Sequence, residues 1–415
     1  MSSEDRNQTS VRCCVAGGGP AGMMLAFLLS RAGVEVTILE KHKDFLRDFR
    51  GDTIHPSTLD LIHELGLLDE FLKLPHQEIR ELSAQVGNYS VTVADLTHLP
   101  TKCKFLAFMP QWDFLNFLAD HGKRYSTFKL RMETEVTELI FQNGVVAGVR
   151  VNSPTGPAEI LADLVVGADG RHSTVRDQAK LQVQQLGAPM DVLWFRLTRN
   201  KTDPGQVLGR FANGKIMVML NRDEYWQCGF VIAKGSLESF KAKGLPAFHN
   251  DILSIAPFLK DRVAELQDWN NISLLTVAVD RLLKWHKPGL LCIGDAAHAM
   301  SPVGGVGINL AIQDAVAAAN ILYRSLLKGR PSDKEFERVQ RRRLFPTRVT
   351  QWFQVLVQNR VIVKALGSER ATTTPFFLKL LRYFPVLRRI PARVIGVGVR
   401  AEHIHTPDLF ASGRS

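Results

Sequence analysis

The sequence predicts an α/β fold: a Rossmann-like sheet with a β-meander, a second lobe with a largely antiparallel sheet, and a C-terminal helical segment. Three observations predict it. Residues 11–32, VRCCVAGGGPAGMMLAFLLSRA, pass from an apolar strand through a Gly-rich turn into a helical pattern. Residues 34–40 and 161–169 are further apolar strands that end in Glu40 and Asp169. Residues 290–327 repeat the design, with Asp295 at a strand end, a Gly-rich loop, and an Ala-rich helix from about Ile308. Open α/β sheets place their ligands at the carboxyl ends of such strands.

In the first turn, Gly17, Gly19 and Gly22 have G-x-G-x-x-G spacing. The first glycine allows a sharp turn, the second a close approach to a pyrophosphate, and the third close helix-strand packing. The helix that follows offers free N–H groups and a partial positive charge to phosphates. Glu40 ends the second strand about twenty residues on, where a carboxylate can accept from a ribose diol.

Next along the chain, Arg50 is a candidate cofactor contact, and Pro56 opens an amphipathic helix carrying Leu59, Ile62, Leu65 and Leu68. Residues 78–99 alternate as a hairpin, and 110–120 form a short helix entered through Pro110 and Gln111. Residues 130–166 read as a β-meander, with Asn143-Gly144 as a two-residue turn. Residues 191–235 are strand-rich and carry Trp194 and Trp226, which suggests a separate lobe. Residues 333–366 read as a charged helix interrupted at Pro346, and 372–400 as basic apolar helices broken by Pro385 and Pro391. The expected division is a discontinuous nucleotide domain over 1–80, 100–185 and 282–330, a substrate lobe over 81–99 and 186–281, and a helical segment over 331–415.

Composition narrows the function. The 415 residues carry a net charge of +11. From Arg360 onward ten Lys or Arg face three acids. Without a nucleic-acid module this basic excess does not point to nucleic acid. The longest uncharged run is broken by glycines and a proline, so no transmembrane segment is expected, and the polar first residues do not resemble a secretory signal. Five scattered cysteines, without metal-ligand spacing, fit a reducing, cytoplasmic setting.

With Gly17 to Gly22, Asp169-Gly170 and Gly294-Asp295 in this order, residues 11–327 resemble the single-component FAD-dependent monooxygenases of the aromatic hydroxylase type. The resemblance implies non-covalent FAD, with its ADP part held by Gly17, Gly19, Gly22 and Glu40. Arg50 then lies along the cofactor, Gln111 reaches the ribityl chain, and Asp295 binds the ribityl hydroxyls. Asp169-Gly170 serves FAD and the nicotinamide donor. Pro302 faces the oxygen-reacting side of the flavin, and Gly304, Gly305, Gly307 and Asn309 lie beside its pyrimidine edge. The activity implied is hydroxylation of a small aromatic or polycyclic organic substrate with NAD(P)H as transient donor and O2, through a flavin C4a-hydroperoxide.

Residue chemistry agrees. A helix beginning near Ile308 directs N–H groups at the charge of a reduced flavin, an interaction of about 0.3–2 kcal/mol. His298 is given no chemistry, because a lone histidine in such a loop is more often structural. No second G-x-G-x-x-G, no paired redox cysteine and no Trp-x-Trp-x-Ile-Pro signature occurs. The alternatives are a partner-fed oxidase, reductase or halogenase, or a non-catalytic flavin-fold carrier. Trp194, Phe195, Trp226 and Phe230 are candidates to roof the flavin, of which at most half can face one side of a sheet. The tail is expected to complete the core. Membrane contact through its cations is less favoured, because Pro385 and Pro391 interrupt a long interfacial helix.

Overall fold

The computed structural model describes residues 8–46, 53–87, 89–204, 209–366 and 376–410. Strands β1 (Gln8–Ala16), β2 (Val36–Leu39), β3 (Phe128–Arg131), β4 (Gly156–Gly167) and β5 (Leu290–Cys292) form the parallel part of an eight-stranded sheet, ordered β5-β4-β1-β2-β3. The apolar run at Cys13 to Ala16 is buried on both faces because helices cover the sheet. Helix α1 (Pro20–Arg31) starts with proline in its first turn and fills one face with Met23 to Leu29. The meander extends the sheet through Glu135–Gln142 and Val145–Ser153, joined at Asn143 and Gly144, whose positive φ of 50° and 79° suits a tight hairpin turn.

Helix α2 (Pro56–Glu64) follows His55, and helix α3 (Gly307–Leu326) packs on both α1 and α4 (Asp333–Val357). By length and composition Val303–Leu326 matches a membrane span, but protein covers most of it. Close packing of α1, β5 and α3 requires small residues where they meet. A Cβ on Gly294 would lie 3.1 Å from Ala21 Cβ and 3.2 Å from Ala311 Cβ.

A second sheet has seven strands, in the order Ser273–Leu275, Met190–Thr198, Tyr225–Ala233, Lys215–Asn221, Gly209–Ala212, Glu81–Val86, Tyr89–Asp95. Helices over 237–255 and turns over 257–265 cover one face with Phe248, Ile252 and Leu259. The other face carries Met190, Val192, Ile216 and Val231 toward Val303 and toward Ile362 and Ala365, in the π-helical turn Gln358–Ile362 and the short helix Val363–Leu366 that prolong α4 into one long C-terminal helix. Helices α5 (Phe376–Tyr383) and α6 (Arg389–Gly396) complete the chain's helical tail.

Two expectations about proline are corrected. Helix α4 runs unbroken through Pro346. Buried side chains on either side, Arg343, Gln351 and Gln354, hold the turn, and Thr347 Oγ1 donates to Arg343 O at 2.9 Å. Pro391 lies in the first turn of α6, where a missing N–H costs nothing, so it does not break that helix. Pro385 does mark a corner, opening the turn Pro385–Arg388.

The helices are tied by a buried ionic cluster. Asp314 in α3 accepts from Arg343 Nε at 2.9 Å, from Gly294 N at 3.1 Å, and pairs with His298 Nε2 at 2.6 Å. Arg343 Nη1 also reaches Glu402 at 3.2 Å, and Arg342 Nε donates to the same carboxylate at 2.8 Å. Burial pushes the Asp314 carboxyl upward, but His298 and Arg343 outweigh it and hold it below the ordinary carboxylate range. A depressed carboxyl stabilises the fold above its unfolded pKa, about 4, and this stabilisation is lost as pH falls through the folded value. Asp314→Ala takes one of the two carboxylates from buried Arg343 and the acceptor from His298 and Gly294 N, and is expected to cost about 3–5 kcal/mol in urea denaturation. In the wild type, stability should fall as the pH drops below about 4.

Candidate functional site

The strand ends of the first sheet are level. Ala16 pairs with Leu39 and with Gly167, and Gly167 pairs with Cys292. Beyond them, Gly17 N donates to Leu39 O, Ala168 N to Ala16 O, and Ile293 N to Gly167 O, at 2.8, 2.8 and 2.9 Å. Glu40, Gly17, Asp169 and Asp295 therefore follow one another along a single sheet edge. With strands about 4.8 Å apart, this edge spans roughly 14 Å from β2 to β5.

Each position has a local reason. Gly17 has φ +103°, and a Cβ there would come within 2.4 Å of Ala168 O. A Cβ on Gly22 would strike Gly17 O at 2.0 Å, so α1 rests directly on the turn. Gly19 is the N-cap of α1, with no side-chain cap and open space where a Cβ would stand, so donors are left facing outward. The Glu40 carboxylate folds back on the glycine turn, accepting from Gly18 N at 3.0 Å and from His42 N at 3.1 Å. Asp295, one third exposed, pairs with Arg171 Nε at 3.1 Å. Gln111 is the first residue of helix Gln111–Gly122, which packs on α1. Arg50 lies outside the described residues.

The Asp169 side chain is engaged within its own loop. Ser173 Oγ donates to it at 2.5 Å and Val175 N at 3.1 Å, so it braces the short helix Thr174–Gln178. Burial pushes its pKa up, against these donors. Gly170, with φ +86° and open space at its Cβ position, remains available beside it.

The loop from Asp295 to α3 is fixed from several sides. Gly304 and Gly305 have φ of +81° and +64°, which glycine adopts without strain. Gly305 O accepts from Thr53 Oγ1 at 3.2 Å and lies 3.0 Å from His55 Nε2, while His55 Nδ1 lies 2.7 Å from Ile395 O in α6. Burial lowers the His55 pKa, although both carbonyls favour the cation. Gly307 opens α3 without a side-chain cap. The Asn309 side chain turns inward, its Oδ1 accepting from Ser57 Oγ at 3.0 Å and Thr58 Oγ1 at 2.7 Å. Three glutamines of the long C-terminal helix hold the Pro302 end. Gln354 accepts from Ser301 N at 3.1 Å and donates to Ser301 O and Val303 O, both at 2.9 Å. Gln351 donates to Ala299 O at 3.1 Å, and Gln358 to Ser301 Oγ at 2.5 Å.

Of the four aromatic roof candidates, only Trp194 lies on the sheet face toward Val303, over Gly229. Trp226 is a correction. It lies with Phe195 and Phe230 on the opposite face, under the 237–265 helices, and its Nε1 donates to Asp203 at 2.7 Å. Strand alternation puts Leu193, Phe195 and Leu197 on one face and Trp194 on the other, and cross-strand pairing places Trp226 with the first set.

A parallel sheet with a glycine turn, acids at level strand ends and an uncapped buried helix defines a dinucleotide-binding flavoprotein fold. The chain belongs to the family described as FAD binding domain, whose model matches residues 10–352. It is an FAD-dependent monooxygenase of the aromatic hydroxylase type. A 6-methylpretetramide 4-monooxygenase of Streptomyces rimosus is 31% identical over 402 residues, 96% of this chain and 95% of the relative. The anhydrotetracycline hydroxylase OxyS of the same organism has a similar structure, with a TM-score of 0.72 at 21% identity over 95% of this chain and 77% of that one. A flavin-dependent brominase superposes with a TM-score of 0.75 at 16% identity over 94% of each chain, a likeness of fold alone.

His55, Thr53 and the glutamines were not singled out in the sequence. The glutamines did leave a signal, since positions 351, 354 and 358 have the i, i+3, i+7 spacing of one helix face. Gln354→Leu removes three bonds to loop backbone and strands the buried Ser301 N. It is expected to cost about 1–3 kcal/mol, read by thermal unfolding, with faster amide exchange confined to the 299–305 loop.

Proposed function

We propose that the chain uses NAD(P)H and O2 to hydroxylate a small aromatic or polycyclic organic compound on bound FAD. The observation that supports this most is the level row of Glu40, Gly17, Asp169 and Asp295, which leads into the Pro302 to Gly307 loop. The residues fit an extended dinucleotide: donors at the start of α1, open space at Gly19 and Gly170, and an accessible carboxylate at Asp295.

When bound, FAD supplies the two-electron carrier that takes hydride from NAD(P)H and delivers one oxygen atom of O2 to the substrate. In this reading Gly17, Gly19 and Gly22 seat the diphosphate, Glu40 holds the adenosine ribose, and Arg50 and Gln111 lie along the chain between the two nucleotides. Asp295 accepts from ribityl hydroxyls, with Arg171 orienting its carboxylate. Asp169 acts through its loop, presenting Gly170 while bracing the helix behind it. The N–H groups at Gly307 and Ile308 stabilise negative charge at the pyrimidine edge, and Asn309, locked by Ser57 and Thr58, holds the start of that helix in place.

Pro302, fixed by the glutamine clamp, borders the oxygen-reacting side. Trp194, Met190, Val192 and Val231 form an apolar wall that excludes water and favours a planar aromatic ring. The names of two similar proteins, a 6-methylpretetramide 4-monooxygenase and an anhydrotetracycline hydroxylase, support a polycyclic substrate.

Anaerobic mixing of the FAD-loaded protein with NADH or NADPH is expected to bleach the flavin absorbance. No bleaching with either would move the assignment to an enzyme fed by a separate reductase. Asp295→Ala is expected to weaken FAD binding about 10- to 100-fold in a fluorescence titration, through loss of a charge-assisted acceptor.

A further inference from the structure

The C-terminal helices have a second face that the fold does not use. Of the seventeen large apolar residues that are exposed among the described residues, nine fall between positions 345 and 390. Eight of these nine form two ridges. On α4, Phe345, Trp352 and Leu356 recur at intervals of 7 and 4, one stripe along a helix, with Trp352 66% exposed, and exposed Val363 follows beyond the π-helical turn Gln358–Ile362. At the corner between α5 and α6, Tyr383, Phe384, Val386 and Ile390 project, with Tyr383 74% exposed.

Both ridges point away from the same support. Ile362 and Ala365 pack beneath the first against Val192 and Ile216, and Leu378 and Leu381 beneath the second against Val86 and Val91. Phe211 is packed against both clusters, so the two helical segments lie on one face of the seven-stranded sheet and expose their outer sides together. The corner is also rigid, since Arg388 Nε donates to Leu381 O at 2.9 Å and caps the end of α5.

Charge selects the partner. From Arg338 to Arg400 the sequence contains one acid, Glu369. Exposed Arg348, Arg360 and Lys364 flank the first ridge, and exposed Lys379, Arg382 and Arg393 flank the second. Large aromatic and aliphatic side chains ringed by cations bind where an apolar layer lies under an anionic surface. A second copy presenting the same face would bring cation against cation.

We propose that this face docks the protein on an anionic lipid bilayer, with the Tyr383 to Val386 corner and the Trp352 ridge entering the headgroup boundary. Pro385 creates the projecting corner, and the interface needs no single long helix. Because Ile362 and Ala365 on the inner side of the first ridge lie in the cluster that reaches Val303, the docked face backs onto the apolar wall beside the Pro302 loop.

The test is co-sedimentation of the full-length, FAD-loaded protein with phosphatidylcholine vesicles, with and without phosphatidylglycerol. Binding is expected only with phosphatidylglycerol, and is expected to be released by salt. Lys364→Glu and Arg382→Glu should each lower the partition coefficient at least about fivefold. Trp352→Asp with Phe384→Asp should abolish binding while leaving thermal unfolding unchanged, since both side chains are mostly exposed. Absence of binding at low ionic strength would overturn the proposal, as would binding that the Trp352→Asp/Phe384→Asp variant retains. A concentration-dependent dimer dissolved by those substitutions would assign the face to a second copy and also overturn it.

Discussion

The carboxylate of Asp314 is the constraint on which much of the structure depends. It is fully buried on helix α3 and cannot remain charged there without partners. His298, Arg343 and the Gly294 amide supply them, and Glu402 balances the arginine. One ion therefore joins the strand end beside Asp295, helix α3, helix α4 and, through Arg343, Glu402 beyond α6. Meeting its needs also sets the position of the loop that carries Pro302, because that loop is strung between Asp295 and α3.

The same loop is held a second time by neutral groups. Thr53 and His55 bind its backbone from one side and Gln351 and Gln354 from the other, while Gln358 donates to the Ser301 hydroxyl. Backbone capture leaves the glycines free to present an open surface, which a side chain on Gly305 would close against Thr53 at 2.9 Å. His55 further links the loop to α6 through Ile395 O, so the tail contacts the candidate site directly.

The C-terminal third thus has two faces with different chemistry. Its inner side completes the apolar wall over the antiparallel sheet, as the sequence led one to expect of the tail. Its outer side keeps large apolar groups in water among cations, at a cost that packing within this chain does not offset. Pro385 and Pro391 look alike in sequence but differ in effect: one turns the chain and the other starts a helix.

The sequence by itself determined the α/β class and the acids at three strand ends, because apolar runs, glycine spacing and turn residues are local and act within a few residues. The expectation that at most half of the four roof aromatics share one side fails, because they come from two paired strands whose register puts Phe195, Trp226 and Phe230 on one face. Which two faces the sheet would have, and which was covered by helices, required the pairing of strands far apart in sequence, and that pairing leaves Trp194 toward Val303 and carries Trp226 away. Likewise Pro346 is a helix breaker in isolation, yet buried groups on both sides keep its helix whole. Asp169 appeared equivalent to Glu40 and Asp295, but its own loop takes up its carboxylate. Only the tertiary structure decided these points, because each depends on partners brought together from distant positions by packing and charge.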